Sequence, residues 1–181
     1  MSYNPATEFD FEELQKTPNV LFPVISSESI STRTETGIHP SKIMRPKVPY
    51  GSYSERADEA EEHVNSGWEA TPKVKTWTTD LMSTTSNLEW CVWECVRRLS
   101  YPNRCTRAEV NVINVTNDCG TELSTESALD MLNSTKSRFD DNKMALARYL
   151  SGLSSEVFVR GSIPLSHIRQ SFSVTPVSPL S

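Results

Sequence analysis

The stretch Thr76 to Leu99, T-W-T-T-D-L-M-S-T-T-S-N-L-E-W-C-V-W-E-C-V-R-R-L, constrains this chain more than any other. It reads as a strand that closes in hydroxyls and runs straight into a helix with one apolar face. Ser86 and Glu89 have the S-x-x-E spacing of a capping box, in which the hydroxyl bonds a first-turn amide and the glutamate reaches back to the cap, so a helix is expected from Asn87. Leu88, Cys91, Val92, Cys95, Val96 and Leu99 recur at intervals of three and four, while Glu94 faces Arg97 and Arg98 one turn on. One face of this helix is expected in a core. The turn before it, Ser83-Thr84-Thr85-Ser86, joins a sheet edge, free amide donors and a helix N-terminus, which is where functional chemistry is sought first.

At 181 residues and 36% hydrophobic content the chain is long enough for one domain with a real core and short for two. A net charge of -5, with no basic stripe, argues against nucleic-acid binding by phosphate neutralisation. No apolar run is long enough to span a bilayer, and the N-terminus lacks the basic start and apolar run of a secretory signal. The expectation is an intracellular, cytoplasmic, reduced protein with no membrane and no nucleic-acid partner. Cys91, Cys95, Cys105 and Cys119 contain no C-x-x-C pair, so buried free thiols are expected and no metal.

Three parts are expected: an acidic flexible arm over 1–18, one domain over 19–169 and a loose tail over 170–181. Within the domain, Val20 to Ile25 reads as a first strand that Pro23 confines to an edge or bulge. Ser29 to Tyr53, with three interrupting prolines, reads as an extended surface connection, and Ser54 to Val64 as a solvated acidic helix. Ala108 to Val115 is the clearest strand, β-branched and alternating. Ser124 to Leu132 and Met144 to Leu153 read as helices, the second with Leu146, Tyr149, Leu150 and Leu153 on one side. Ser155 to Pro164 reads as a strand with Glu156, Phe158 and Arg160 on one face and Val157 and Val159 on the other.

Phosphate-binding glycine motifs and H-E-x-x-H are absent, and six glycines leave little for a phosphate-cradling loop. His39, His63 and His167 lie in a Pro-rich loop, an acidic helix and a turn, so each is expected at the surface.

The order of these elements, an apolar first strand followed by serines, a strand closing in Ser83-Thr84-Thr85-Ser86, the Val110 to Val115 strand and the late S-E-V-F-V-R-G-S-I-P, resembles the ADP-ribosyltransferase-like fold. The closest likeness is to uncharacterised domains of that shape common in filamentous fungi. This resemblance, over about residues 19 to 169, implies an α+β fold in which two small, mostly antiparallel sheets with flanking helices form a cleft for NAD. It implies cleavage of the nicotinamide–ribose bond through an oxocarbenium-like transition state, which needs negative charge beside the sugar. Glu156 matches the catalytic glutamate. Ser83, Thr84 and Ser86 match the strand end that shapes the nicotinamide ribose pocket.

The family's phosphate-binding arginine belongs on the first strand, where this chain has Leu21-Phe22-Pro23-Val24. Arg33 is the nearest arginine downstream, and it reaches the pocket only if its loop folds back. Two positions before Glu156 stands Ser154, where arginine-directed transferases carry Gln or Glu. Losing an Arg–phosphate pair costs about 1.5–3 kcal/mol, roughly tenfold or more in affinity. The reading these departures favour is a catalytically degenerate domain that acts as a binding or interaction module, with a protein as partner or acceptor. The alternative is an active NAD-dependent mono-ADP-ribosyltransferase or NAD glycohydrolase using Glu156.

Overall fold

Strand β6 (Ala108–Asn114) is the spine of the molecule, because its Ala-Glu-Val-Asn-Val-Ile-Asn pattern sets Ala108, Val110 and Val112 on one face for one core and Ile113 on the other for a second. The structure, a computed structural model, describes residues 19–26, 29, 31–40, 58–61, 63–65, 80–100, 105–134 and 141–176. On one side β6 pairs antiparallel with β1 (Val20–Leu21) and β2 (Val24–Ser26), and on the other with β10 (Ile168–Val174). The partners Leu21↔Ile113 and Val24↔Val110 keep one continuous register through the interruption. Pro23 therefore costs the ladder little: it has no amide to lose there, and its carbonyl still accepts from the Asn111 amide at 3.1 Å.

The interruption serves to join two sheets. Phe22 leaves β6 and exchanges backbone hydrogen bonds with Thr85, Phe22 N to Thr85 O at 2.8 Å and Thr85 N to Phe22 O at 3.3 Å. Thr85 ends β5 (Leu81–Thr85), which pairs antiparallel with β8 (Glu156–Arg160), and β8 pairs in turn with β7 (Thr125–Ser127). A third small sheet holds β3 (Thr32–Thr34), β4 (Gly37–His39) and β9 (Ile163–Pro164). The architecture is thus α+β with small antiparallel sheets, three of them among the described residues where two were expected.

Several expectations are corrected. Residues 32–39, read as irregular, form a hairpin that pairs with β9, because Gly37 supplies a positive φ and lets the chain approach the Ile163 carbonyl. The tail expected to be loose from residue 170 is β10 as far as Val174. Its Phe172 and Val174 pack on the β6 core, while 177–181 and the 1–18 arm lie outside the described residues. Residues 125–127 are strand rather than helix, and Ser127 instead caps a short helix, Ala128–Asn133, by accepting from the Asp130 amide.

The first long helix buries part of the stripe expected of it, and the second turns a different side inward from its Leu146, Tyr149 and Leu153 side. In Leu88–Ser100, Leu88, Cys91 and Cys95 pack on β6, while Val92 and Val96 are exposed at 49% and 55%. In Asp141–Ser154, Met144, Ala147 and Ser151 face inward and Leu146, Tyr149 and Leu153 face water. Small inward residues let that helix approach β8 closely, which the bulkier stripe would prevent. The acidic helix, described at 58–61 and 63–65, contributes Ala60 and Val64 to the core beneath Phe158. Glu61 in its charge run is buried rather than wet, and accepts from Asn65 Nδ2 at 3.2 Å.

Candidate functional site

The β5–β8 register decides which side chains can meet. Ser83 stands opposite Phe158 and Thr85 opposite Glu156, so Ser83 and Glu156 are diagonal neighbours on one face, while Thr84 pairs with Val157 on the other. Ser83 Oγ donates to Glu156 Oε1 at 2.6 Å, and Ser151 Oγ donates to Glu156 Oε2 at 3.4 Å. Half-buried at the foot of the cleft, Glu156 loses hydration that favours its charge, and its pKa is pushed up to about 7. The Ser83 and Ser151 hydroxyls work against that rise, and the Glu94 charge adds to it. The residue before it, Ser155, sits at φ 48° at the turn from helix to strand. Its carbonyl accepts from the Ser86 amide at 3.3 Å, which ties the end of β5 to the start of β8.

A third group joins the pair. His63 Nε2 lies 2.8 Å from Ser83 Oγ, and its ring sits edge-on to Phe158 with centroids 5.2 Å apart. With the Ser83 proton given to an ionised Glu156, Ser83 Oγ can only accept from His63, so Nε2 carries a hydrogen in that state. His63, Ser83 and Glu156 thereby form a proton-sharing row drawn from a helix and two strands. His63 was expected at the surface. Its position next to Val64 and three residues after Ala60, at the rim of that helix's apolar face, is the signal that points it inward.

The cleft around this row is lined by Phe22 and Val24 of the first strand, by Trp90, Glu94, Arg97 and Arg98 of the Leu88–Ser100 helix, and by Ser154. Its empty space, counting the part open to solvent, is about 560 Å³. Trp90 stacks at a tilt on Trp93, ring centroids 4.7 Å apart, and presents an aromatic wall. Glu94 holds both arginines: Arg97 grips it through a two-point fork at 2.7 and 2.8 Å, and Arg98 Nε reaches it at 2.6 Å. Burial disfavours the Glu94 charge, but the two guanidiniums outweigh that cost and hold its carboxyl below the usual range.

The expected site residues divide. Ser83 and Glu156 meet. Thr84 lines the cleft, but its hydroxyl is spent on the Val157 carbonyl at 2.6 Å. Ser86 is exposed, and its Oγ reaches the Ser155 carbonyl at 3.5 Å. The helix cap expected of Ser86 is made by Asn87, whose Oδ1 accepts from the Trp90 amide at 3.1 Å. Arg33 does not fold back into the cleft: it pairs with Glu109 at 3.7 Å, and Glu109 points away from the Val110 and Val112 face on which the helix packs. By the same alternation Pro23 lies on the far face, and the first-strand side chains that face the cleft are Phe22 and Val24. Arg160, which shares the Glu156 face, is held by Asp80 at 2.6 Å and Glu59 at 3.4 Å instead.

His39 bridges Thr34, Thr36 and Ser162, and His167 is buried against the Asn114 carbonyl, so neither is a free surface group. Cys91, Cys95, Cys105 and Cys119 are free thiols, the first three buried. Among the described residues no three His, Cys, Asp or Glu side chains are grouped so as to hold a metal ion, and no helix is long and apolar enough to cross a membrane.

Comparison with known proteins bears on the fold. No curated protein matches the sequence. The chain is similar in structure to EcPltA, an ADP-ribosyltransferase-like toxin subunit, with a TM-score of 0.50 at 13% identity over 87% of this chain and 76% of that one. Residues 16–177 match a family described as a domain of unknown function, DUF7587.

Proposed function

The chain belongs to the DUF7587 family, and we propose that it has an ADP-ribosyltransferase-like fold whose cleft binds NAD or its ADP-ribose portion as a binding or interaction module, with catalysis weak or lost. The observation that carries this reading is the composition of the cleft. Its sugar end keeps a serine-supported glutamate, Ser83 and Glu156 at 2.6 Å, while the first strand offers it only Phe22 and Val24. Neither of those two side chains can pair with a cofactor phosphate, so a cation for it has to come from another wall of the cleft. Glu156 is also poorly poised for chemistry near neutral pH. With a pKa near 7 about half of it is neutral there, and a neutral carboxyl stabilises an oxocarbenium ion far less than a carboxylate.

The hydrogen bond between Ser83 and Glu156 favours a second reading, an active NAD-dependent mono-ADP-ribosyltransferase or NAD glycohydrolase. In that reaction the bond from ribose C1′ to the nicotinamide nitrogen breaks, and nicotinamide leaves with the electron pair. Glu156, fixed by Ser83, stabilises the cation, and water or an acceptor hydroxyl or amine adds to C1′ and releases a proton.

Calorimetry with NAD, together with nicotinamide release by wild type and Glu156→Ala, separates the two. Binding without release at millimolar NAD is the expected result. Release that disappears in Glu156→Ala establishes the enzyme, and absence of both binding and release removes NAD from the cleft.

A further inference from the structure

A paired-arginine cluster on the wall of the cleft does what the first strand does not. Arg97 and Arg98 both hold Glu94, so two guanidiniums share one carboxylate. Arg98 reaches further than its carboxylate partner. Its Nη1 donates to the Val24 carbonyl at 3.1 Å and to Ser29 Oγ at 2.7 Å, with Ser26 Oγ at 3.4 Å. A guanidinium from the helix therefore lies against the first strand beside Val24. The side chains of Arg97 and Arg98 are 29% and 27% exposed, whereas that of Glu94 is 12% exposed, so the arginines are the more accessible part of the cluster. The Glu94 charge is felt at Glu156, which puts the cluster and the Ser83–Glu156 pair within electrostatic reach across one cleft.

We propose that Arg97 and Arg98 form a diphosphate subsite of this cleft, in which Glu94 is the internal counter-ion that holds the two guanidiniums in place until a diphosphate takes over part of their hydrogen bonding. This rests on the cleft-binding reading above and gives it a phosphate anchor. Two arginine forks match the planar, two-point recognition of phosphate oxygens, and a diphosphate brings two charges to two guanidiniums where the carboxylate brings one. A first strand that lacks an arginine is then compatible with a ligand of the ADP-ribose class, because the cation arrives from the helix that packs on that strand. The resident carboxylate must be partly displaced, so affinity is modest and falls with salt.

The test is calorimetry on the full chain with inorganic pyrophosphate, ADP-ribose and nicotinamide as separate probes, for wild type, Arg97→Gln and Arg98→Gln. Arg98 also ties the helix to the first strand, and its variant can lose stability, so Arg97→Gln, with a thermal melt alongside, is the decisive change. Removal of Arg97 is expected to weaken pyrophosphate and ADP-ribose binding about tenfold to a hundredfold and leave nicotinamide unaffected. ADP-ribose binding unchanged in Arg97→Gln overturns the subsite and leaves the cleft reading standing. Pyrophosphate binding that needs Arg97, without any affinity for ADP-ribose, keeps the subsite and overturns the cleft reading. No binding of pyrophosphate or ADP-ribose by the wild type overturns the subsite.

Discussion

Ser83 and Glu156, 73 residues apart in the chain, meet at 2.6 Å because β5 and β8 pair in a register that makes them diagonal neighbours on one face. Everything chemical in the cleft refers to that contact: His63 reaches it through Ser83, Ser151 supports the far oxygen of Glu156, and the Glu94 charge bears on the carboxylate.

Burial of Glu156 makes stability depend on pH. Its folded-state pKa of about 7 lies above the ordinary value of 4.5, so the folded protein keeps a proton that the unfolded chain releases between those pH values. The stabilisation is complete below the unfolded value and is lost as pH rises through about 7. Glu156→Gln carries a neutral side chain at every pH, so its stability relative to wild type should rise between roughly pH 5 and pH 8. Urea melts of both proteins across that range check this. A flat difference would show that Glu156 is ionised in the fold throughout.

Removing the Ser83 hydroxyl should move the same titration upward. That hydroxyl favours the carboxylate, so in Ser83→Ala the Glu156 midpoint rises above the wild-type value of about 7. His63 loses its partner on the same atom. The stability cost should be about 1 kcal/mol for hydrogen bonds at a half-buried site. Carboxyl-carbon NMR of Glu156 reads the midpoint directly, and a fall in it would contradict the geometry.

Asn87, not Ser86, should prove to be the helix cap. Its Oδ1 accepts from the Trp90 amide at 3.1 Å, while Ser86 Oγ points to the Ser155 carbonyl at 3.5 Å. Asn87→Ala is expected to cost about 1 kcal/mol and Ser86→Ala within about 0.5 kcal/mol. Denaturant midpoints of the two variants decide between them.

What the sequence made legible follows from how local each signal is. The alternation of Ala108 to Asn114 identified the central strand, and the meeting of Ser83 with Glu156 was anticipated from the resemblance, because strand ends and their order survive in a linear reading. The capping box was misassigned by one residue. Ser86 and Asn87 are both good caps, and only the contact with Ser155, in a turn 69 residues later, draws Ser86 away. The apolar faces were legible only in part for a related reason: Leu88, Cys91 and Cys95 of the expected face are buried, whereas Val92, Val96, Leu146 and Tyr149 share the apolar periodicity and stay exposed, and Ala147 and Ser151 take the inner side of the second helix. His63 and the Arg97–Arg98 pair were visible as residues but carried no sign of the cleft they would line. Their role depends on a helix-to-sheet placement that periodicity alone does not encode.

The inward face of the Asp141–Ser154 helix gives a direct test by substitution. Met144 is buried at 1% exposure and packs with Phe158, whereas Leu146 is 50% exposed. Met144→Ala should cost about 2–5 kcal/mol through lost burial and a residual cavity, and Leu146→Ser should stay within about 0.5 kcal/mol. Comparable losses at both positions would mean that the outer stripe is covered.

Gly37 holds the third sheet against the rest of the fold, and its replacement should be severe. It sits at φ 143°, a backbone conformation that side-chain-bearing residues rarely adopt, and a Cβ built there would lie 2.1 Å from the Ile163 carbonyl oxygen. That oxygen belongs to backbone, so it cannot swing aside as a side chain would. The β4–β9 pairing of Gly37 with Pro164 and Ile38 with Ile163 would have to open, which exposes the fully buried Ile38 and Ile163. Gly37→Ala is therefore expected to cost about 2 kcal/mol or more, well beyond the usual helix-interior difference between these residues. Thermal melts give the loss, and amide exchange should place the opening at Ile38 and Leu165, whose N–H groups lie in and beside this pairing, while the amides of β6 stay protected.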